Sequence, residues 1–136
     1  MKDTSSIGNR TEGMVLAALL GAGHRMLLPF GDGHPYDLAY DDDGGLRRVQ
    51  CKTGRLYRGC VTFHVVKYTG NNGHRTYGDH EFDYFGVYCP DTDAVYMVPK
   101  AEIGQGTTFV LRIEATKNGR TKGIHWAADY QLIKPE

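Results

Sequence analysis

The feature that most constrains the fold is a single amphipathic stripe near the start of the chain. Apolar or small residues recur every three or four positions from Ile7 to Ala22, as on one buried face of a helix. Gly21 and Gly23 suit its C-terminal end, so we predict a helix over about residues 7–21. Most of the remaining chain has the short apolar or alternating patterns of strands. The predicted strands are 25–30, 36–40, 46–53, 61–68, 84–89, 94–99 and 109–115.

Turn signals predict how these strands connect. The run Asp41–Gly45 is rich in Asp and Gly and predicts a hairpin turn between the second and third strands. Residues 90–93 predict another turn, and Asn118-Gly119 predicts a further hairpin. Residues 69–80 are rich in Gly, Asn and His and indicate a mobile loop. Together these signals predict an α+β fold, in which the N-terminal helix packs on a central mixed or antiparallel β-sheet.

Length, charge and cysteine content narrow the class of protein. A chain of 136 residues suits one domain, which we assign to residues 1–136. The formal net charge is zero, so nucleic-acid binding would need local basic patches or a bound metal. The three cysteines have no CxxC spacing, which favours a reducing cytoplasm. No apolar run is long enough to span a bilayer, and the first residues lack the apolar core of a signal peptide, so we expect no membrane partner.

A polar face runs along the third predicted strand, in a segment that otherwise has the pattern of a buried strand. Gln50 and Lys52 are two residues apart, so their side chains lie on the same face of the sheet. Asp37 lies on the minority polar face of the preceding strand, across a short hairpin. Glu12 flanks the apolar stripe of the helix and can reach over the sheet beneath it. Burying such a patch is costly unless its charges are paired or bind a cation.

The residue types on this patch suit a hard metal ion. Asp37, Gln50 and Glu12 supply oxygen ligands of the kind that Mg²⁺ or Mn²⁺ prefers. Such a metal polarises a scissile phosphate and lowers the pKa of an attacking water. Lys52 would orient that water or stabilise the charge that builds on the phosphorane. From spacing alone, a structural salt bridge is an equally good interpretation, because acid–lysine pairs are common on sheets.

The same residues resemble the motif of the PD-(D/E)xK nuclease superfamily. The resemblance rests on Glu12 in the first helix, Pro35-Tyr36-Asp37 opening a strand, and Gln50-Cys51-Lys52-Thr53 after it, and it covers roughly residues 7–99. The chain is most similar to the small branch containing Holliday-junction resolvase-like proteins and certain group I intron homing endonucleases. The resemblance implies a restriction-endonuclease-like core, Mg²⁺-dependent DNA cleavage and a homodimer or higher oligomer. Residue matching makes Glu12 the helix acid, Asp37 the strand acid and Lys52 the lysine.

Two departures from the family pattern leave alternatives open. Gln50 stands where a second acid is usual, which removes one negative charge from the site. The alternative function is therefore a catalytically inactive DNA-binding or assembly module on the same fold. A structural subunit of a larger complex is a third interpretation. The loop at 69–80 stands where many relatives have a second helix, which affects the peripheral topology more than the chemistry.

Two groups of residues outside the patch are candidates for binding DNA. The group after the motif strand could clamp the phosphates that flank the cut, or it could belong to an ordinary exposed loop. The group around the Asn-Gly turn could enter a DNA groove as a β-ribbon, or it could form a solvated hairpin. The DNA itself could be a junction or a defined duplex target. The first group is Arg55, Tyr57 and Arg58, and the second is Lys117, Arg120 and Lys122.

Other acidic and histidine residues have simpler interpretations. The run Asp41–Asp43 lies beside Gly44 and is typical of a turn rather than of a metal cluster. Asp32 is either a turn residue or an outer acid of the site. The histidines, His74 and His80 among them, show no paired ligand spacing, so a solvated loop is favoured over a zinc or HNH-type site.

Overall fold

The computed structural model describes residues 4–132. Its helix α1 (Thr4–Gly21) begins three residues before the predicted start and ends where predicted. None of the helices in this part of the chain is long and apolar enough to cross a membrane. Two short 3₁₀ helices occupy Lys100–Glu102 and Ala127–Asp129. The strands are β1 (Met26–Leu27), β2 (Leu38–Asp42), β3 (Gly45–Thr53), β4 (Arg55–Tyr57), β5 (Cys60–His64), β6 (Val66–Gly70), β7 (Gly73–Thr76), β8 (Tyr84–Cys89), β9 (Ala94–Pro99) and β10 (Thr108–Arg112).

The central sheet has five strands in the order β1-β2-β3-β8-β9. Strands β2 and β3 form the predicted antiparallel hairpin, with Leu38 opposite Val49. Strand β8 runs parallel to β3, with Gln50 opposite Phe85, and β9 returns antiparallel to β8. Strands β8 and β9 have the predicted bounds, because a short apolar run on each side of the turn at 90–93 is a local signal. The fold is therefore α+β with a mixed central sheet, as the sequence predicts.

Helix α1 packs on one face of the central sheet. Its buried residues include Val15 and Leu19, and they join a core cluster with side chains from β2, β3, β8 and β9. Burying two such side chains stabilises the fold by about 1.5–3 kcal/mol each. Gly86 on β8 permits the close approach, because a Cβ there would lie 2.8 Å from the Cγ1 atoms of Val15 and Val49. This contact holds Glu12 close to the sheet.

The opposite face of the central sheet is covered by a second sheet, with strand order β10-β5-β4. Phe63 on β5 packs between Phe85 and Phe109, with ring centroids 5.6 and 5.7 Å away. Tilted aromatic pairs of this kind add to the energy of burial. The middle of the central sheet is thus covered on both sides, so a lysine in the middle strand is exceptional.

The segment predicted as a buried strand at 25–30 is mostly exposed. Only Met26 and Leu27 pair with β2, and they form the edge of the central sheet. Leu28 is 64% exposed and Phe30 is 98% exposed. The prediction of burial was wrong because apolar composition alone does not distinguish a core strand from a sheet edge.

The predicted strand at 61–68 is divided at Val65. The Val65 N–H donates to the Thr107 carbonyl at 2.9 Å, and the chain changes partners there. Strand β5 pairs with β10, whereas β6 pairs with β7 in a separate two-stranded sheet. Strand β7 lies inside the predicted loop at 69–80, so that loop prediction was wrong in part.

The hairpin predicted at Asn118-Gly119 does not form among the described residues. A turn is present, in which the Gly119 N–H donates to the Thr116 carbonyl at 3.4 Å. The chain then returns beside β10 in parallel, through an isolated bridge between Arg112 and Trp126. The strand predicted at 109–115 ends at Arg112, because no hairpin partner continues the pairing beyond that bridge among the described residues. A turn signal therefore predicted the bend correctly but not the pairing that follows it.

Candidate active site

Asp37 is fixed at the point where β2 begins. Its N–H donates to the Val49 carbonyl at 2.9 Å, and its Oδ2 accepts the Cys51 N–H at 2.9 Å. Beyond Val49, strand β3 pairs with no further backbone of residues 4–132 on this edge. The Asp37 carboxylate satisfies the amide that a longer β2 would have paired, because a buried N–H without an acceptor is costly. This contact orients the carboxylate beside the second half of β3.

Glu12 approaches Asp37 from helix α1. The two side chains share a hydrogen bond, and burial together with the charge of Asp37 raises the pKa of Glu12 to about 7. The preceding residue fixes the register of the helix on the sheet, since the hydroxyl groups of Thr11 and Thr53 are hydrogen-bonded at 2.6 Å. Thr11 is almost fully buried. The helix therefore holds one carboxylate against another.

Lys52 is half-buried in β3 and is held by two groups from residues 66–77. Its Nζ donates to the Tyr77 hydroxyl at 2.8 Å and to the Val66 carbonyl at 3.4 Å. Desolvation lowers the pKa of Lys52, the charge of Asp37 opposes that shift, and Lys67 adds to it. The ammonium therefore lies within the electrostatic reach of the Asp37 carboxylate.

Gln50 lies two residues before Lys52 on β3, and its side chain is half-buried. It forms no side-chain hydrogen bond with any of residues 4–132. Its amide oxygen is therefore available to a ligand. Glu12, Asp37 and Lys52 are linked by direct or electrostatic contact, and Gln50 shares the strand face of Lys52 by the period of two.

A cleft of about 460 Å³ opens beside the two carboxylates. Asp32 and His34 line it together with Glu12 and Asp37. The ring of His34 donates through Nε2 to the Phe30 carbonyl, which ties down the loop before β2. Asp32 is exposed on this loop and lines the cleft, so its position fits a turn residue and an outer acid of the site equally well.

Three residues of this region were not identified from the sequence as part of a site. They are Thr11, His34 and Tyr77, which contact Thr53, the loop before β2 and Lys52 respectively. His34 lay in a composition typical of a turn, and Tyr77 in a predicted loop. Only Thr11 carried a usable signal, because a polar residue on the apolar stripe of a helix requires a partner.

The donor set fits a hard divalent cation better than a softer metal. Burial and, after it, the charge of Asp37 raise the pKa of Glu12 to about 7, so two ionised carboxylates here would repel each other. A cation would relieve this repulsion, and the amide oxygen of Gln50 is a further hard donor. Among the described residues there is no cluster of three or more His, Cys, Asp or Glu side chains suited to a metal. Glu12 and Asp37 are thus two acids without a third beside them among the described residues, and three acids would bind a cation more strongly.

The predicted DNA-binding residues divide between two locations. Arg55 and Tyr57 are exposed on β4 at the edge of the second sheet. Arg58, Lys117 and Arg120 line one groove of about 1250 Å³ that runs past β10. Lys122 is exposed but is not among the residues lining this groove. The basic residues around the Asn-Gly turn thus do not form a β-ribbon, and two of them line the same groove as Arg58.

Comparison with known proteins identifies the family. The family model for the PD-(D/E)XK endonuclease matches residues 2–133. The structure is similar to that of a bacterial homing endonuclease, I-Ssp6803I, with a TM-score of 0.76 and 24% sequence identity over 96% of this chain and 89% of the other. No curated protein sequence gave a match. The family match extends over nearly the whole chain, and the chain belongs to the PD-(D/E)XK endonuclease family.

Proposed function

We propose that this nuclease is a metal-dependent DNA endonuclease that hydrolyses phosphodiester bonds in double-stranded or branched DNA. The observation that carries the proposal is that Glu12 and Asp37 meet beside one cleft, while the partly desolvated ammonium of Lys52 lies within the electrostatic reach of Asp37. Membership of an endonuclease family supports the same chemistry.

Each residue of the site has a proposed role. Asp37, Gln50 and Glu12 hold Mg²⁺, for which Mn²⁺ can substitute, and this metal supplies Lewis acidity toward the phosphate and an activated water. Asp37 is the best oriented donor, because the Cys51 amide fixes one of its oxygens. Lys52 stabilises the charge that develops on the phosphate or orients the water, and the Tyr77 hydroxyl keeps its ammonium in place.

The structurally similar protein is a homing endonuclease, which supports a site-specific, homing-type enzyme rather than a junction resolvase.

We further propose that the enzyme acts as a homodimer in the cytoplasm, since cutting both strands of a duplex with one site per subunit favours two-fold symmetry. Light scattering of the purified chain tests the assembly. A mass of twice the 15.1 kDa chain is expected, and a monomer at micromolar concentration would contradict it.

A catalytically inactive DNA-binding or assembly module is the second candidate, and Gln50 is the observation that favours it. With an amide in place of an acid, the site has one negative charge fewer to hold a cation. Calorimetric titration with Mg²⁺ separates the two candidates. The enzyme is expected to bind Mg²⁺ measurably, whereas the inactive module is not.

A substrate panel tests the proposed activity. Plasmid, linear duplex and four-way-junction DNA are incubated with the protein in EDTA, Mg²⁺ or Mn²⁺. We expect cleavage with either metal and none in EDTA, and the preferred substrate distinguishes a resolvase from a duplex-specific enzyme. No cleavage of any substrate, together with no Mg²⁺ binding, would overturn the proposal in favour of the inactive module.

A further inference from the structure

Strands β6 and β7 form a two-stranded ribbon, residues 66–76, that projects from the candidate active site. It belongs to neither of the larger sheets. Val66 at its base is 1% exposed, whereas the residues from Lys67 to Thr76 are exposed apart from Gly73. The turn at its tip contains Asn71 and Asn72, both with positive φ. A two-stranded ribbon is only marginally stable by itself in water, so an exposed one is suited to docking on a partner.

The base of this ribbon holds Lys52 from two sides. The Val66 carbonyl accepts from the Lys52 ammonium at the start of β6, and the Tyr77 hydroxyl accepts from it directly after β7. Whatever binds along the ribbon therefore lies next to the group proposed to act on the scissile phosphate. Because the proposed substrate of Lys52 is DNA, DNA is the partner that Lys52 and the ribbon would both meet.

One face of the ribbon carries two positive charges. Lys67 lies directly opposite Arg75 in the strand register, and like charges placed opposite each other are destabilising. Lys67 also repels Lys52 electrostatically. Arg75 is partly neutralised by Glu81, with Nη1 and Oε1 3.2 Å apart. Bound phosphate would relieve the repulsion that remains.

The other face of the ribbon packs back on the protein. Tyr68 lies opposite His74, and its ring meets His64 of β5 edge-on with centroids 5.3 Å apart. These contacts orient the ribbon so that the face with Lys67 and Arg75 is directed away from β5. The width of a two-stranded ribbon matches the major groove of B-form DNA.

We propose that the β6–β7 ribbon is a DNA-docking element, in which Lys67 and Arg75 bind backbone phosphates next to the scissile one. The proposal rests on the proposed endonuclease function, because that function places DNA against Lys52, which the base of the ribbon holds. It adds two residues that had no role in the sequence analysis. The ribbon proposed to contact DNA is therefore residues 66–76, and not the hairpin that the sequence predicted at the Asn-Gly turn.

DNA binding measured in EDTA tests the ribbon without requiring cleavage. Fluorescence anisotropy with a labelled duplex is recorded across a salt series for the wild type, the Lys67→Ala/Arg75→Ala double variant and Arg25→Ala. Arg25 is an exposed matched control whose carbonyl accepts from Asp41, about 20 Å along the sheet from Lys52. We expect the double variant to bind at least about tenfold more weakly, with a salt slope smaller by about two, and the control to bind like the wild type.

Thermal unfolding separates a binding role from a structural one. Removing one of two opposed like charges should leave the stability of Lys67→Ala unchanged or raised, while its DNA affinity falls. Unchanged affinity and salt slope in the double variant, or a wild type that binds no DNA, would overturn the ribbon proposal. A wild type that binds through the ribbon but cuts nothing would overturn only the proposed hydrolysis.

Discussion

At the scale of single residues, Asp37 combines a structural and a chemical contact. One oxygen accepts the Cys51 amide, and the carboxylate also meets Glu12 and attracts Lys52. Gln50, in contrast, has an amide oxygen that no described residue uses. Substitutions at these two positions should therefore have different effects.

The variant Asp37→Asn should lose cleavage by about 100-fold or more while keeping its fold and most of its DNA affinity. The amide oxygen can still accept the Cys51 N–H, but the charge that holds the metal is gone.

The matched variant Gln50→Glu adds a carboxylate to the site and should keep activity and tighten Mg²⁺ binding. Cleavage rates and Mg²⁺ titrations check both variants, and wild-type cleavage by Asp37→Asn would show that the site is misassigned.

The pKa of Glu12 predicts a pH dependence of stability without metal. Because its folded pKa of about 7 lies above the ordinary value of 4.5, the folded state binds more protons than the unfolded state between these values. Stability contributed by protonated Glu12 is complete below pH 4.5 and is lost as pH rises through 7. In EDTA, Glu12→Gln should therefore raise the melting temperature at pH 8 and leave it unchanged near pH 4. A variant less stable than the wild type at pH 8 would contradict this account.

At the scale of elements, the packing of α1 on β8 sets the distance between the two carboxylates. Gly86→Ala places a Cβ 2.8 Å from side-chain atoms of Val15 and Val49 and should cost about 1–3 kcal/mol. It should also weaken Mg²⁺ binding by lifting the helix that carries Glu12. The matched control is Gly8→Ala, where nothing lies within 4 Å and stability should rise by about 0.5–1 kcal/mol. Urea unfolding measures the free energy of unfolding of both variants. Equal changes in the two variants would show that the close contact at Gly86 does not affect stability.

The elements that could be predicted from the sequence are those set by local pattern. Alternation in β3 placed Gln50 and Lys52 on one face, and the turn signal at 41–45 placed Asp37 across from them. The division at Val65 depends on a change of partner from β10 to β7, which is a tertiary effect. Tyr77 could not be identified because it reaches Lys52 from 25 residues away along the chain.

At the scale of the whole molecule, a protein with zero net charge must concentrate its positive charge locally to bind DNA. The groove beside β10 gathers Arg58, Lys117 and Arg120 from segments far apart in sequence. If this groove follows the DNA backbone, the double variant Arg58→Ala/Lys117→Ala should lower the slope of log affinity against log salt by about two. A slope equal to that of the wild type would exclude the groove from the DNA path.

The central claim is that Lys52 and a metal act together on a phosphodiester bond. The most direct test compares cleavage by wild type, Lys52→Met and Arg25→Ala in Mg²⁺ and in EDTA. Lys52→Met keeps the length of the side chain and removes a desolvated charge, so it should fold as stably as the wild type. We predict metal-dependent cleavage by wild type and Arg25→Ala, with a loss of about 100- to 1000-fold in Lys52→Met. Cleavage by Lys52→Met at the wild-type rate, or equal cleavage in EDTA, would contradict the account.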